Sequence, residues 1–167
     1  QIWEMDMTKT YLNGYGWLYI MAIIDRYDRS IVGYEINSRS RATEWLAAFD
    51  KAVKNRFPEG TRDQGLILQV DNGCQPTSHK FVKELSTCDV ALLYSAYATP
   101  EHNAHIERFF RTLKEEEIYY NLYETYSEAI TSIEAYIDFY NNNRIHSALG
   151  YLTPAEYYQQ SILQNVA

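Results

Sequence analysis

Cysteine is almost missing from this sequence. Cys74 and Cys88 are the only two among 167 residues, too few and too unpatterned for a disulfide framework or a zinc site, so both read as small buried residues in a reducing compartment. Long apolar runs are missing too: the longest, WLYIMAII at 17–24, is far too short to span a bilayer, and no basic, apolar, small-residue signal opens the chain. A soluble protein is expected. No internal repeat is present, which leaves no basis for a solenoid or array. Positive charge is scarce, with 15 Lys and Arg against 22 Asp and Glu and a formal net charge of -7. That balance argues against a whole-surface grip on nucleic acid, so any basic residues that hold a polyanion must be local or lie on other domains.

What is present is a globular composition, 46% hydrophobic and 22% charged, with 16 tyrosines that bring hydroxyls along with apolar surface. Length predicts one domain over residues 1–167 with a real core. The opening QIWEMD, without Met and already strand-like, reads as a domain excised from something longer.

Residues 2–8 alternate, with Trp3, Met5 and Met7 on one face and Glu4, Asp6 and Thr8 on the other, the periodicity of a strand. The turn YLNGYG, the aromatic and branched run 17–25, the turn DRYDRS and the run IVGYEI at 31–36 complete an antiparallel meander. Helical spacing follows from about Ala42 to Phe57 and stops at FPEGTRDQG; LILQV at 66–70 has the continuous apolar character of a buried parallel strand. A helix of about 78–86, a short strand at 91–95, a helix in NAHIERFFRTLKEEEIYY, another at about 127–141 and a short last one in LTPAEYYQQ, with Thr153 as N-cap and Pro154 first in the helix, finish the chain. The order predicts a mixed α/β sheet of about five strands, a three-strand antiparallel meander plus parallel strands, flanked by helices.

Three carboxylates stand where rigid elements could mount them. Asp6, in mid-strand, is either solvent-facing or in need of a partner. Asp71 ends the buried strand, where ligands collect in open α/β sheets, yet Asp-Asn-Gly is also ordinary turn chemistry. Glu107 lies near a helix N-terminus, where the dipole favours any acid. Brought together, the three would repel unless divalent cations neutralised them, and an all-oxygen set suits Mg²⁺ or Mn²⁺.

Thirty-five residues, 72–106, separate Asp71 from Glu107. With WEMDMTKTY, VDNGCQPTS, NAHIERFFRTLKEE and the closing YNNNRIHSALGYLTPAEYY in order, the chain resembles the catalytic core of the retroviral integrase and bacterial insertion-sequence transposase superfamily. The resemblance covers nearly the whole chain and implies a ribonuclease H-like fold. It further implies a polynucleotidyl transferase in which Asp6, Asp71 and Glu107 bind two Mg²⁺ (or Mn²⁺) ions for DNA 3′-end cleavage and strand transfer. The partners implied are element-end and target DNA and a second copy of the chain, in the bacterial cytoplasm, with further DNA-binding domains on either side. Arg111 and Lys114 follow Glu107 at i+4 and i+7 on one face, and Lys114 occupies the family's DNA-contacting position, although a lysine beside Glu115 to Glu117 also reads as salt-bridged surface. Asn103 matches an Asn that orients a ligand or phosphate, whereas Arg144 and His146 read as braces for a helix end.

Two positions depart from the insertion-sequence pattern: Pro76 replaces an aromatic, and His102 an Asp. Pro76 is expected to shift the turn after Asp71, and His102 to make local contacts pH-sensitive. Competing readings are a ribonuclease H-like nuclease without joining activity, a non-catalytic DNA-tethering module, and a two-carboxylate glycosidase, which three acids fit less well.

Overall fold

The computed structural model describes residues 1–73, 75–95 and 103–166, without the side chains of 165 and 166; the expectations for Cys74 and His102 lie outside the described residues. Strands β1 (Ile2–Leu12), β2 (Gly16–Asp25) and β3 (Ile31–Asn37) form the meander. Helix α1 (Ala42–Arg56) then crosses to β4 (Ile67–Val70), and α2 (His79–Thr87) to β5 (Ala91–Tyr94). Helices α3 (Ala104–Leu113), α4 (Tyr126–Asn142) and α5 (Pro154–Val166) follow, with a π-helical turn at Lys114–Ile118 and a 3₁₀ turn at Ser147–Leu149. The five strands lie in the order β3-β2-β1-β4-β5; β1 runs antiparallel to β2 and parallel to β4, and β4 parallel to β5.

Because β1 is central, both of its faces are covered. Trp3 and Met5 join Met21, Ile23, Leu68 and Val70 against Trp45, Phe49, Phe81 and Leu85 of α1 and α2. Leu12, Leu18, Ile20 and Ile24 join Ile106, Phe109, Leu113, Ile133 and Ile137 of α3 and α4 on the opposite face. Removing each of these side chains from water contributes roughly 1.5–3 kcal/mol, so two cores clamp the sheet. The polar face of β1 is therefore not a solvent face: Glu4 is fully buried, Thr8 nearly so and Asp6 partly. Periodicity separates the two faces of a strand without revealing that a helix from a hundred residues away will cover the polar one.

Close approach between α1 and β3 depends on one glycine. A Cβ on Gly33 would stand 2.5 Å from the Ala48 carbonyl oxygen and 2.6 Å from the Ala52 Cβ, both parts of a packed helix that cannot swing aside. Gly33→Ala is expected to destabilise the fold by about 3 kcal/mol, read as a lowered urea midpoint at unchanged slope.

Thr153 caps the last helix as expected, and with Glu156 it forms a capping box, Thr153 N donating to Glu156 Oε2 (2.9 Å) and Glu156 N donating to Thr153 Oγ1 (3.2 Å). Helix α5 is longer than expected, since SILQNV continues it without a strong apolar stripe. Cys88, expected to be buried, is a half-buried free thiol at the C-cap of α2. No helix among the described residues is long and apolar enough to cross a membrane.

Candidate active site

Strand register sets the site. Parallel pairing of β1 with β4 matches Ile2 to Ile67, Trp3 to Leu68 and Glu4 to Gln69. Continued by two residues, the same register sets Asp6 level with Asp71, and neighbouring strands lie only about 4.8 Å apart. Asp71 leaves the sheet at that point. Its Oδ1 accepts from Gly73 N (2.9 Å), an Asx turn, and a Cβ on residue 73 would stand 2.8 Å from that oxygen, so glycine leaves the carboxylate room to fold back. Turn chemistry and a site role are thus compatible, because Asp71 Oδ2 makes no hydrogen bond among the described residues. Asp6 is held similarly, with Oδ1 accepting from Met7 N (2.7 Å).

Glu107 is brought to the same place by a buried carboxylate the sequence reading did not single out. Glu4, two residues before Asp6 on the same face of β1, sends its side chain to the first turn of α3. Its Oε2 accepts from the backbone N–H groups of His105 and Ile106, both at 3.1 Å. Its Oε1 lies 2.7 Å from His105 Nδ1 and 3.3 Å from Arg26 Nε. A helix N-terminus carries unsatisfied donors and partial positive charge, so a carboxylate there is strongly held. Asn103, the N-cap residue, makes no side-chain cap bond; Glu4 does that work from another element. The signal in the sequence was a glutamate at the hydrophobic centre of a central strand, where an unpartnered charge is untenable.

Electrostatics reports the convergence. Burial pushes the Asp6 carboxyl up from its ordinary 3.8 to about 6, the Met7 N–H opposes this, and the charges of Asp71 and Glu107 raise it further. The three acids therefore share one field. They do not form a closed cage: among the described residues no three His, Cys, Asp or Glu side chains stand close enough to hold an ion. Like charges without a cation between them favour that open arrangement, and the all-oxygen donor set, with Glu107 exposed and a carboxylate oxygen of Asp71 unbonded, fits Mg²⁺ or Mn²⁺ in chemistry.

In metal-free buffer, Asp6 is expected to weaken the fold as pH rises. Below about pH 4 it is protonated in both states; between about pH 4 and 6 the unfolded chain loses the proton first, and above that window the full penalty of roughly 2–3 kcal/mol applies. Asp6→Asn should remove this slope and raise the urea midpoint near neutral pH.

The basic stripe after Glu107 holds its helical register as far as Lys114, the αR C-cap of α3. Arg111 is exposed and Lys114 partly so, and neither makes an ion pair among the described residues, so the salt-bridged reading of Lys114 does not hold. The acids that follow turn elsewhere: Glu116 accepts from Tyr136 Oη (2.7 Å) and pairs bidentately with Arg144, while Glu117 accepts from Tyr123 Oη (3.0 Å) and from Ser132 Oγ. Arg144 is the expected brace. Asn103 is buried, and its Oδ1 has no partner among the described residues. Pro76 sits buried in the turn before α2, its carbonyl accepting from Tyr94 Oη (3.3 Å), and α2 still starts from a Ser78 cap.

Comparison with known proteins agrees with this topology. Integrase core domain models match residues 1–100 and 88–154. The transposase for insertion sequence element IS904 of Lactococcus lactis is 34% identical over 158 residues, 94% of this chain and 60% of that protein. The chain thus spans less than two thirds of that relative's length. Among solved structures, the BIV integrase catalytic core superposes with a TM-score of 0.71 at 19% identity, covering 99% of this chain and 98% of that one. The HTLV-2 integrase catalytic core in complex with magnesium, in a dimeric form, gives 0.70 at 16% identity, covering 92% of each chain. These likenesses establish the ribonuclease H-like sheet, and the matched models span both the strands and the helices that bear the three acids. The chain belongs to the integrase core domain family, with transposases of bacterial insertion sequences among its relatives.

Proposed function

We propose that this chain is the catalytic core of a DNA transposase, cutting DNA to free a 3′ end and joining that end to target DNA, with Asp6, Asp71 and Glu107 as its metal-binding carboxylates. The observation that carries the reading is the shared field at Asp6, which feels a strand-end aspartate and a helix glutamate separated from it by 35 residues. Divalent Mg²⁺ or Mn²⁺ ions, two by the in-line displacement logic, would supply Lewis-acid stabilisation of the attacking and leaving oxygens.

The chain's own residues do the rest. Met7 N and Gly73 N fix one oxygen each of Asp6 and Asp71, leaving the others turned to the site. Glu4 holds the α3 end from which Glu107 projects. Arg111 and Lys114 bind backbone phosphates leading away from the reacting end, and Asn103 Oδ1 orients a ligand near the helix start. In cleavage, water adds to phosphorus as the P–O3′ bond breaks, the departing 3′-oxygen takes up a proton, and the downstream fragment keeps the phosphate on its 5′ end. In joining, that 3′-hydroxyl attacks a target phosphodiester and expels a target 3′-oxygen. Neither displacement needs a covalent protein intermediate. The transposase acts as a homodimer on two DNA ends, and exposed Tyr119, Tyr120 and Leu122 are candidates for the pairing surface. Recognition of the element ends is assigned to further domains, since the charge of this core is acidic.

Incubation with end-sequence DNA and supercoiled plasmid in Mn²⁺ tests the reading. Joined products support it; cleavage alone favours a nuclease, and neither product favours a tethering module.

A further inference from the structure

One cavity lies outside the acidic trio and has no part in the mechanism above. It encloses about 490 Å³ between α3, the end of α4 and the 144–151 loop, and Arg108, Tyr140, Arg144, Ile145, His146 and Tyr151 are among its walls. In a chain of net charge -7, this wall is locally cationic. Arg144 is neutralised by Glu116, but Arg108 is exposed and has no ion pair among the described residues. Arg29, from the β2–β3 turn, adds a third positive charge within electrostatic reach of Tyr140 and His146. His146 Nε2 is buried with no hydrogen-bond partner among the described residues, although its ring sits edge-on to Tyr140 at 4.8 Å. A buried nitrogen left without a partner costs free energy unless something else satisfies it.

The rim has a different character. Ile145 and Tyr151 are 58% and 70% exposed, an apolar pair at the mouth of a polar cavity. Tyr151 has φ of 64°, the left-handed region that a bulky residue rarely adopts, directly after Gly150 at 66°. Such strain gathers at ligand clamps because the surrounding structure holds it there for a purpose.

We propose that this cavity is a nucleotide subsite, taking a backbone phosphate of DNA against Arg108 and stacking the attached base or sugar on Tyr151. Guanidinium forks suit phosphate oxygens, and a base plane on an exposed tyrosine ring adds contact area without sequence preference. DNA as the source of the phosphate rests on the strand-transfer reading: Arg108 is the residue after Glu107, so a strand leaving the acidic trio across α3 reaches this wall next. The subsite lies beside the Arg111 and Lys114 stripe and extends the track around the helix.

The test is anisotropy of a short fluorescein-labelled DNA duplex with a single-stranded overhang, in EDTA over a salt series. Arg108→Ala should weaken binding about tenfold and flatten the slope of log K against log salt by about one, while Arg108→Lys keeps the slope. Tyr151→Ala should weaken binding several-fold without changing the slope, because stacking releases no counterion. Arg62→Ala, an exposed arginine in the α1–β4 connection, serves as the control and should change neither. Equal losses for Arg62→Ala and Arg108→Ala, or no loss for Arg108→Ala, overturn the subsite. Sodium phosphate that competes as well as duplex at matched ionic strength overturns the DNA assignment. Because the assay contains no divalent cation and reads binding alone, a failed strand-transfer reading leaves its outcome readable.

Discussion

Asp71→Asn is expected to abolish strand transfer, slowing it on the order of a thousandfold or more, while the protein stays folded. Asparagine keeps the side-chain oxygen that accepts from Gly73 N, so the Asx turn survives and only the negative charge is lost. A divalent cation held by three carboxylates stabilises the transition state by several kcal/mol, and each 1.36 kcal/mol is tenfold in rate. Two measurements decide it: joined product on supercoiled plasmid, and Mn²⁺ binding by calorimetry. Equal Mn²⁺ affinity in wild type and Asp71→Asn would count heavily against the metal-site reading. Asp6→Asn and Glu107→Gln should behave alike in catalysis but not in stability, since only Asp6 is buried enough to strain the metal-free fold.

Glu4→Ala should be the most damaging substitution outside the trio. It strips the partner from two backbone N–H groups at the start of α3 and from Arg26 and His105, and breaking a buried charged network of this kind costs roughly 3–5 kcal/mol. If Glu4→Ala does not fold, Glu4→Gln still separates the roles, because its carbonyl oxygen can accept from the helix while the charge is gone. Expected for Glu4→Gln are a modest loss in urea midpoint and a weakened Mn²⁺ affinity, as α3 no longer presents Glu107 at a fixed place. A loss of stability with unchanged Mn²⁺ affinity and strand transfer would make Glu4 a fold residue only.

These two residues mark how much could be read from the sequence. Asp71 was legible because an apolar run, a turn and the interval to Glu107 are all one-dimensional features, and the meander and crossovers follow from periods and breakers. Glu4 was not, since the helix end it holds lies more than a hundred residues away along the chain and alternation says only which face it shares with Asp6. The π-helical turn was equally hidden: KEEEIYY continues a helical pattern with nothing to announce a widened register. Arg108 carries no signal in one dimension, because its neighbours lie in α4 and the loop after it, not in α3.

That π-helical turn bears on how DNA would experience this acidic protein. It lies at the point where three glutamates follow Lys114, and two of them, Glu116 and Glu117, are drawn into bonds with α4, Tyr123 and Arg144. An approaching polyanion thus meets Arg108, Arg111 and Lys114 with much of the adjacent negative charge already spoken for. Long-range repulsion from the whole chain decays within about 10 Å at moderate salt, and inside that distance the local face of α3, not the sum over the sequence, sets the attraction.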